Sequence, residues 1–234
     1  MGISSFLTQV SIVVIMAVMN NVLVIYGAGS KYGADIPMTV VGIVMKVFQI
    51  VISVVVGIAA GAQPIVGYNY GAGLWRRVKL IFRTMMAAEF SVGLVSLICF
   101  EVFPVQIISV FGSEDGLYNE FAVLAFRVFL GGIVLCCIQK SCSIFLQSMG
   151  KPALSMLLSL LRDFVLSVPL TLVLPRFFGV TGALYSGPAA DVISFGAAVL
   201  CMAAVFRKLN RLEDGEVALS GASQGGLAVE RKIC

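Results

Sequence analysis

Residues 38–62 read MTVVGIVMKVFQIVISVVVGIAAGA, an uninterrupted apolar run with one charge, Lys46, and one amide, Gln49. At 1.5 Å per residue a helix of this length is about 37 Å long, more than the roughly 30 Å of hydrocarbon in a bilayer. Working outward, similar runs cover residues 3–25, 80–103, 121–146, 154–174 and 180–206. The first has no basic n-region and no small-residue cleavage site, and it is longer than a signal h-region, so it reads as a spanning helix. Of the 234 residues, 59% are hydrophobic and 12% charged, with mean hydropathy +1.03. An ordinary soluble domain carries about twice that charge, so a water-soluble fold is excluded. The expected fold is all-α and integral to the membrane, a six-helix transmembrane bundle over residues 1–206. Residues 207–234 are polar and Gly/Ser-rich and read as a disordered cytoplasmic tail.

Charges outside the spans orient the bundle. The loops after the second and fourth runs and the C-terminal flank carry Arg76, Arg77, Lys79, Arg83, Lys151, Arg207, Lys208 and Arg211. The opposite loops hold Lys31 and Arg176 beside Asp35, Glu114, Asp115 and Glu120. This bias puts both termini in the cytoplasm and the acidic loop outside, in a multi-pass protein of the plasma (inner) membrane.

Ionisable groups inside a span cost several kcal/mol unless paired or solvated, so each is a functional candidate. Glu89 has no basic residue three or four positions away; Lys46 on another helix is a possible partner. Arg162 and Asp163 are sequence neighbours about 100° apart on a helix, and side-chain bending is needed to pair them. Asp191 follows Gly187-Pro188, where a missing backbone hydrogen bond frees carbonyls. It reads either as a cation or proton site or as a cap where the sixth helix enters the membrane. Asp191, Asp163 and Glu89 are therefore the cation-coupling candidates. Gln9, Asn20, Asn21, Lys46, Gln49 and Arg162 are candidates for a cavity or polar network. Lys140 and Arg127 are expected to snorkel toward opposite interfaces. Gly57 and Gly61 form a GxxxG pair suited to helix packing.

Other classes have no support. The chain has no His, which removes His-based triads, metal sites and proton relays. Most of the six Cys sit singly or adjacent in apolar stretches, with no CxxC, and read as packing residues. No nucleophile–base pair, metal-ligand set or phosphate loop is present, so no enzyme, bound cofactor or nucleic-acid partner is expected.

The stretch Gly61-Ala-Gln-Pro-Ile-Val-Gly-Tyr-Asn-Tyr-Gly-Ala-Gly73 reads as a loop and resembles the corresponding loop of the multidrug and toxic compound extrusion (MATE) transporters. Phe145-Leu-Gln-Ser-Met-Gly-Lys-Pro152 is similar to a second family segment. Leu161-Arg162, Pro169, Leu174-Pro175, Gly179, Gly182, Pro188 and Asp191 are similar to a third, in the family's order and spacing. Tyr32-Gly-Ala-Asp-Ile-Pro37 resembles the subgroup of Gram-positive anaerobes.

The resemblance implies one lobe, the C-terminal six helices, of a twelve-helix two-lobed antiporter. Such a protein expels cationic or amphipathic drugs in exchange for Na⁺ or H⁺, which is the coupling ion and the only cofactor implied. Its implied partners are membrane lipid, small cationic or amphipathic substrates, and a second six-helix lobe, either a missing N-terminal half or a second copy. Gln9 stands where some members place a membrane glutamate, and an amide cannot exchange a proton. Gly61, Gln63, Pro64, Gly67, Asn69, Gly71 and Gly150 would set lobe geometry and a cytoplasmic hinge, the glycines allowing unusual backbone angles. Two alternatives stay open: a non-transporting remnant or helix-bundle interaction subunit, and a lipid-linked oligosaccharide flippase.

Overall fold

The apolar runs fold as helices, and their ends differ from the sequence expectation where polar residues find partners. The computed structural model describes residues 2–111 and 116–230, and of residues 2–5, 7, 8 and 216–230 the backbone only. The helices are α1 (Gly2–Ala28), α2 (Asp35–Gly71), α3 (Trp75–Val102), α4 (Pro104–Ser109), α5 (Gly116–Leu130) and α6 (Ile133–Ser148). Then come α7 (Pro152–Leu160), a π-helical turn (Leu161–Leu166), α8 (Ser167–Phe178) and α9 (Val180–Glu230). Among the described residues, six spans are long and apolar enough to cross a bilayer: α1, α2, α3, α5 with α6, α7 with α8, and α9. Glu114 and Asp115 of the acidic loop lie outside the described residues.

Two segments depart from the sequence reading. Residues 63–71, expected to be a loop, continue α2 past Pro64. Proline is tolerated there because neighbouring helices hold the chain: Val66 and Asn69 are buried, and Val66 packs in one cluster with Phe145 and Leu146. The turn is confined to the residues after Gly71, where Gly73 takes φ +75°. Gly61, Gly67 and Gly71 therefore have ordinary helical backbones. A Cβ on Gly67 would lie 3.4 Å from the Ser148 carbonyl oxygen, so this glycine serves close approach of α2 to the end of α6. Gly150 does match its expectation of an unusual backbone angle, with φ +71° in the α6–α7 turn.

The second departure is the tail. The tail 207–234 is expected to be disordered, but residues 207–230 extend α9, and 231–234 lie outside the described residues. Residues 207–214 are rich in good helix formers, and Leu209 is buried in one cluster with Val78 at the start of α3. Lys79 binds both Asn210, at 2.9 Å, and Glu213.

The core has two apolar clusters with a polar layer between them. One holds Leu23, Val44, Phe121, Phe126, Leu130 and Leu184. The other holds Val66, Val78, Phe145, Leu146, Met202 and Leu209. Lipid chains are as apolar as leucine, so close packing rather than water exclusion drives this association. Small residues permit it. A Cβ on Gly182 would fall 2.5 Å from the Leu174 carbonyl oxygen, and one on Gly187 3.0 Å from the Phe129 ring.

The loop charges divide between the two ends of the bundle. At one end Lys31 pairs with Glu120 at 2.7 Å, and the Tyr32 hydroxyl donates to the same oxygen at 3.1 Å. The Lys31 hydrogen bond to the Glu120 carboxylate raises the Lys31 pKa. At the other end Lys79 joins the α9 extension, and burial together with the nearby Lys208 charge lowers the Lys151 pKa. Arg127 forms a 3.4 Å ion pair with Glu101, both about half exposed.

Candidate functional site

The third sequence segment places Arg162 and Asp163 in the π-helical turn. A π turn adds a residue to the helical turn and redirects its side chains. The Ser167 hydroxyl bonds back five residues to the Arg162 carbonyl at 2.8 Å, following this wider ladder. Arg162 is thereby able to reach both neighbours: Nη1 donates to Asp163 Oδ1 at 2.7 Å and Nε to Asp191 Oδ1 at 2.8 Å. Lys140 Nζ donates to Asp163 Oδ2 at 3.0 Å. The result is an alternating chain, Lys140–Asp163–Arg162–Asp191, with no net formal charge and both carboxylates under 5% exposed. Charges can be held in a medium of low dielectric only when they neutralise one another in this way.

Two expectations are corrected here. Lys140 does not snorkel; the buried Asp163 carboxylate draws it inward. Asp191 is not an entry cap. It lies inside α9, eleven positions beyond Val180, where the helix begins, and Arg162 is its partner. The α5–α6 turn approaches Asp191 closely at a glycine: a Cβ on Gly132 would sit 2.9 Å from Asp191 Oδ2 and 3.1 Å from the Pro188 Cα.

Three members of the network, but not Asp191, border a cavity of about 650 Å³ lined mainly by α1, α2, α6, α7 and α8. Its walls combine Met16, Met19, Met45 and Phe48 with Gln9 and Gln49, and Lys140, Arg162 and Asp163 reach it. The Phe48 ring lies 6.0 Å from the Arg162 guanidinium, at the outer limit of a cation–π contact. A hydroxyl cluster lines one side: Ser143 donates to the Ser155 carbonyl at 2.9 Å and lies 3.0 and 2.8 Å from the hydroxyls of Ser155 and Ser159. Deeper, Thr171 donates to the Ser167 carbonyl at 2.7 Å, with Ser186 Oγ 3.1 Å away. None of these hydroxyls was singled out from sequence. Serine recurring at 155, 159 and 167 through an apolar span was the available signal.

The remaining candidates scatter. Asn20, Asn21 and Lys46 are exposed and do not line the cavity. Gly57 and Gly61 meet no atom within 4 Å of an added Cβ, so the expected GxxxG packing is not made among the described residues. Gly57 borders the cavity, while Asn20, Asn21, Lys46 and Gly61 are exposed outside its lining. By contrast α3 and α8 expose Val95, Ile98, Leu172 and Val173, side chains suited to lipid. Glu89 is wholly buried and is not paired with Lys46, which is exposed on α2. Neither Glu89 oxygen meets strict hydrogen-bond geometry, and the polar group it interacts with is the Ser141 hydroxyl beside it on α6. In the former loop motif, Asn69 donates to the Ile65 carbonyl at 2.7 Å and its own oxygen is buried without a partner.

The MatE family profile matches residues 5–173. The chain belongs to the MatE family. Solved structures agree on the fold of this MatE lobe. An outward-facing multidrug resistance MATE family transporter of the MOP superfamily superposes with a TM-score of 0.80 at 18% identity, over 90% of this chain and 46% of that one. An inward-facing form of such a transporter gives 0.78 at 18% identity, over 90% and 47%. A MOP superfamily transporter from Pyrococcus furiosus Vc1 (DSM3638), described as having reversed binding-pocket polarity that suggests a different function, gives 0.73 at 17% identity, over 91% and 46%. The MatE chain thus spans a little under half the length of the solved transporters it matches. A search among curated proteins found no match.

Proposed function

We propose that this chain is the C-terminal lobe of a MATE-type secondary exporter, expelling cationic or amphipathic compounds in antiport with Na⁺ or H⁺. The observation that carries this reading is the cavity lined by methionine, phenylalanine and the Lys140, Asp163 and Arg162 side chains, with Asp191 joined to it through Arg162. Flexible thioether and aromatic side chains accommodate bulky apolar bodies of varied shape. A cation entering this cavity competes with Lys140 and Arg162 for Asp163. A proton or Na⁺ on Asp163 or Asp191 would release Arg162 from one partner, coupling ion occupancy to the position of the π turn. Asp163 and Asp191 are the favoured coupling residues, with Arg162 as the group that links them; Glu89 lies outside the cavity lining and ranks below them.

The half-length match to two-lobed relatives supports a second six-helix lobe, and the exposed Asn20, Asn21, Lys46, Gly57 and Gly61 on α1 and α2 would face it. That lobe is either another half or a second copy. In repeat-built carriers such bodies rock about a midplane site to alternate access. We place the protein in the plasma membrane with both termini cytoplasmic, on the loop-charge bias. Accessibility labelling should then modify Lys31→Cys from outside and Asn210→Cys only from inside.

The test of function is dye movement in vesicles containing this chain and a second lobe, driven by an imposed Na⁺ or H⁺ gradient. Export under one gradient, lost in Asp163→Asn, is expected. No movement under either gradient would leave the chain as a non-transporting interaction subunit.

A further inference from the structure

A second cleft, of about 960 Å³, lies at the end of the bundle where α2 turns into α3 and α9 leaves the membrane. Its charged lining is strongly one-sided. Arg76, Arg77, Lys79 and Arg83 face one carboxylate, Glu213, and Glu213 is already bound to Lys79. Among the described residues, Arg76, Arg77 and Arg83 make no salt bridge. The first turn of α3 adds positive potential: it has no acidic residue and no side-chain cap on its free N–H groups. The turn at Gly73, with φ +75°, brings Trp75 edge-on to Tyr70 at 5.4 Å, setting an indole at the level where a span meets water. Leu80, one step inward along α3, is exposed toward lipid and lines the same cleft. Three unpaired guanidinium groups, a fixed aromatic ring and an apolar lip thus sit together at one membrane boundary.

We propose that this cleft binds the phosphodiester headgroup of an anionic phospholipid. Its phosphate would sit among Arg76, Arg77 and Arg83, and its acyl chains would run past Leu80. Guanidinium groups recognise phosphate oxygens through paired N–H donors. Basic pockets beside spanning helices favour anionic lipid over zwitterionic lipid by roughly fivefold per cation, about 1 kcal/mol each. Because Lys79 ties the cleft to Asn210 and Glu213, bound lipid would also brace the junction of α3 with the α9 extension. This assignment depends on the chain spanning a membrane and is independent of whether it transports anything.

The test is native mass spectrometry of the full chain released from detergent with phosphatidylglycerol or phosphatidylcholine, repeated with millimolar inorganic phosphate as competitor. Phosphatidylglycerol adducts should exceed phosphatidylcholine adducts by at least tenfold and survive the phosphate. The triple variant Arg76→Gln/Arg77→Gln/Arg83→Gln should lose the preference, by about a hundredfold if the three act additively. Lys31→Gln, at the other end, should keep it. Melting in the two lipids gives a second readout: phosphatidylglycerol should raise the wild-type Tm and leave that of the triple variant unmoved. Equal retention of both lipids, or an unchanged preference in a folded triple variant, overturns the proposal. Displacement of the lipid by inorganic phosphate also overturns it, since the site would then be one for free phosphate.

Discussion

The Lys140–Asp163–Arg162–Asp191 chain and Glu89 are both carboxylate sites deep within one helical lobe, and they are built in opposite ways. In the first, every formal charge has an opposite neighbour within 3.0 Å, and the group borders the cavity. In the second, a wholly buried carboxyl has no ion pair among the described residues, and the neutral Ser141 hydroxyl is the polar group beside it. The difference teaches that burial alone does not mark a coupling site. A neutralised network at a cavity can exchange partners with an incoming cation. A carboxyl sealed between α3 and α6 would need those helices to part before an ion could reach it.

Arg162→Gln should be the most damaging, lowering stability by about 4 kcal/mol, because it strands two buried carboxylates with only Lys140 to offset them. Melting of the detergent-solubilised chain checks this, and Arg162→Lys should recover part of the loss. Asp191→Asn removes one charge-assisted bond and leaves Arg162 on Asp163, so about 2 kcal/mol is expected from the same melts. An Asp191→Asn variant as unstable as Arg162→Gln would show that the four groups do not act as an alternating chain.

Packing variants separate the two regions further. Gly132→Ala forces a methyl to 2.9 Å from Asp191 Oδ2 and 3.1 Å from backbone of α9. It should cost about 1–3 kcal/mol through overpacking and should impair any ion-coupled dye movement as well as stability. Gly93→Ala meets Val134 Cα at 3.2 Å in the α3–α6 seam that holds Glu89. It should cost less than Gly132→Ala and leave coupling intact. Glu89→Gln is expected to be the mildest, within about 1 kcal/mol of wild type, since the amide replaces a carboxyl with no ionic partner to lose. A large loss in Glu89→Gln melts would place a countercharge beside Glu89 and end the contrast.

Much of this was legible in sequence, for different reasons in each case. The run at 38–62 could only be a span, because hydrocarbon thickness sets a length and apolarity that no loop or surface helix needs. Lys140 was visible but misdirected. An isolated helix offers a lysine only the interface, whereas the packed lobe offers Asp163, 23 positions away in sequence. Arg162 and Asp163 stood out as neighbours, yet the π turn that lets Arg162 serve two carboxylates has no signature in LRDFVL. Pro64 and the glycines around it read as a loop because local propensity favours a break. The contacts of Val66 and Gly67 with the end of α6 kept the helix running.

By itself, then, the sequence determined that this is a six-span helical membrane protein, which loops are basic, and which family it resembles. Those follow from composition, run length and local motif, none of which requires knowing who touches whom. Only the tertiary structure decided which buried charges neutralise one another, that Glu89 stands apart, and that the 61–73 motif is mostly helix. Long-range pairing in a medium of low dielectric is settled by distances of a few ångströms, and residues far apart in the chain acquire those distances only when the helices pack.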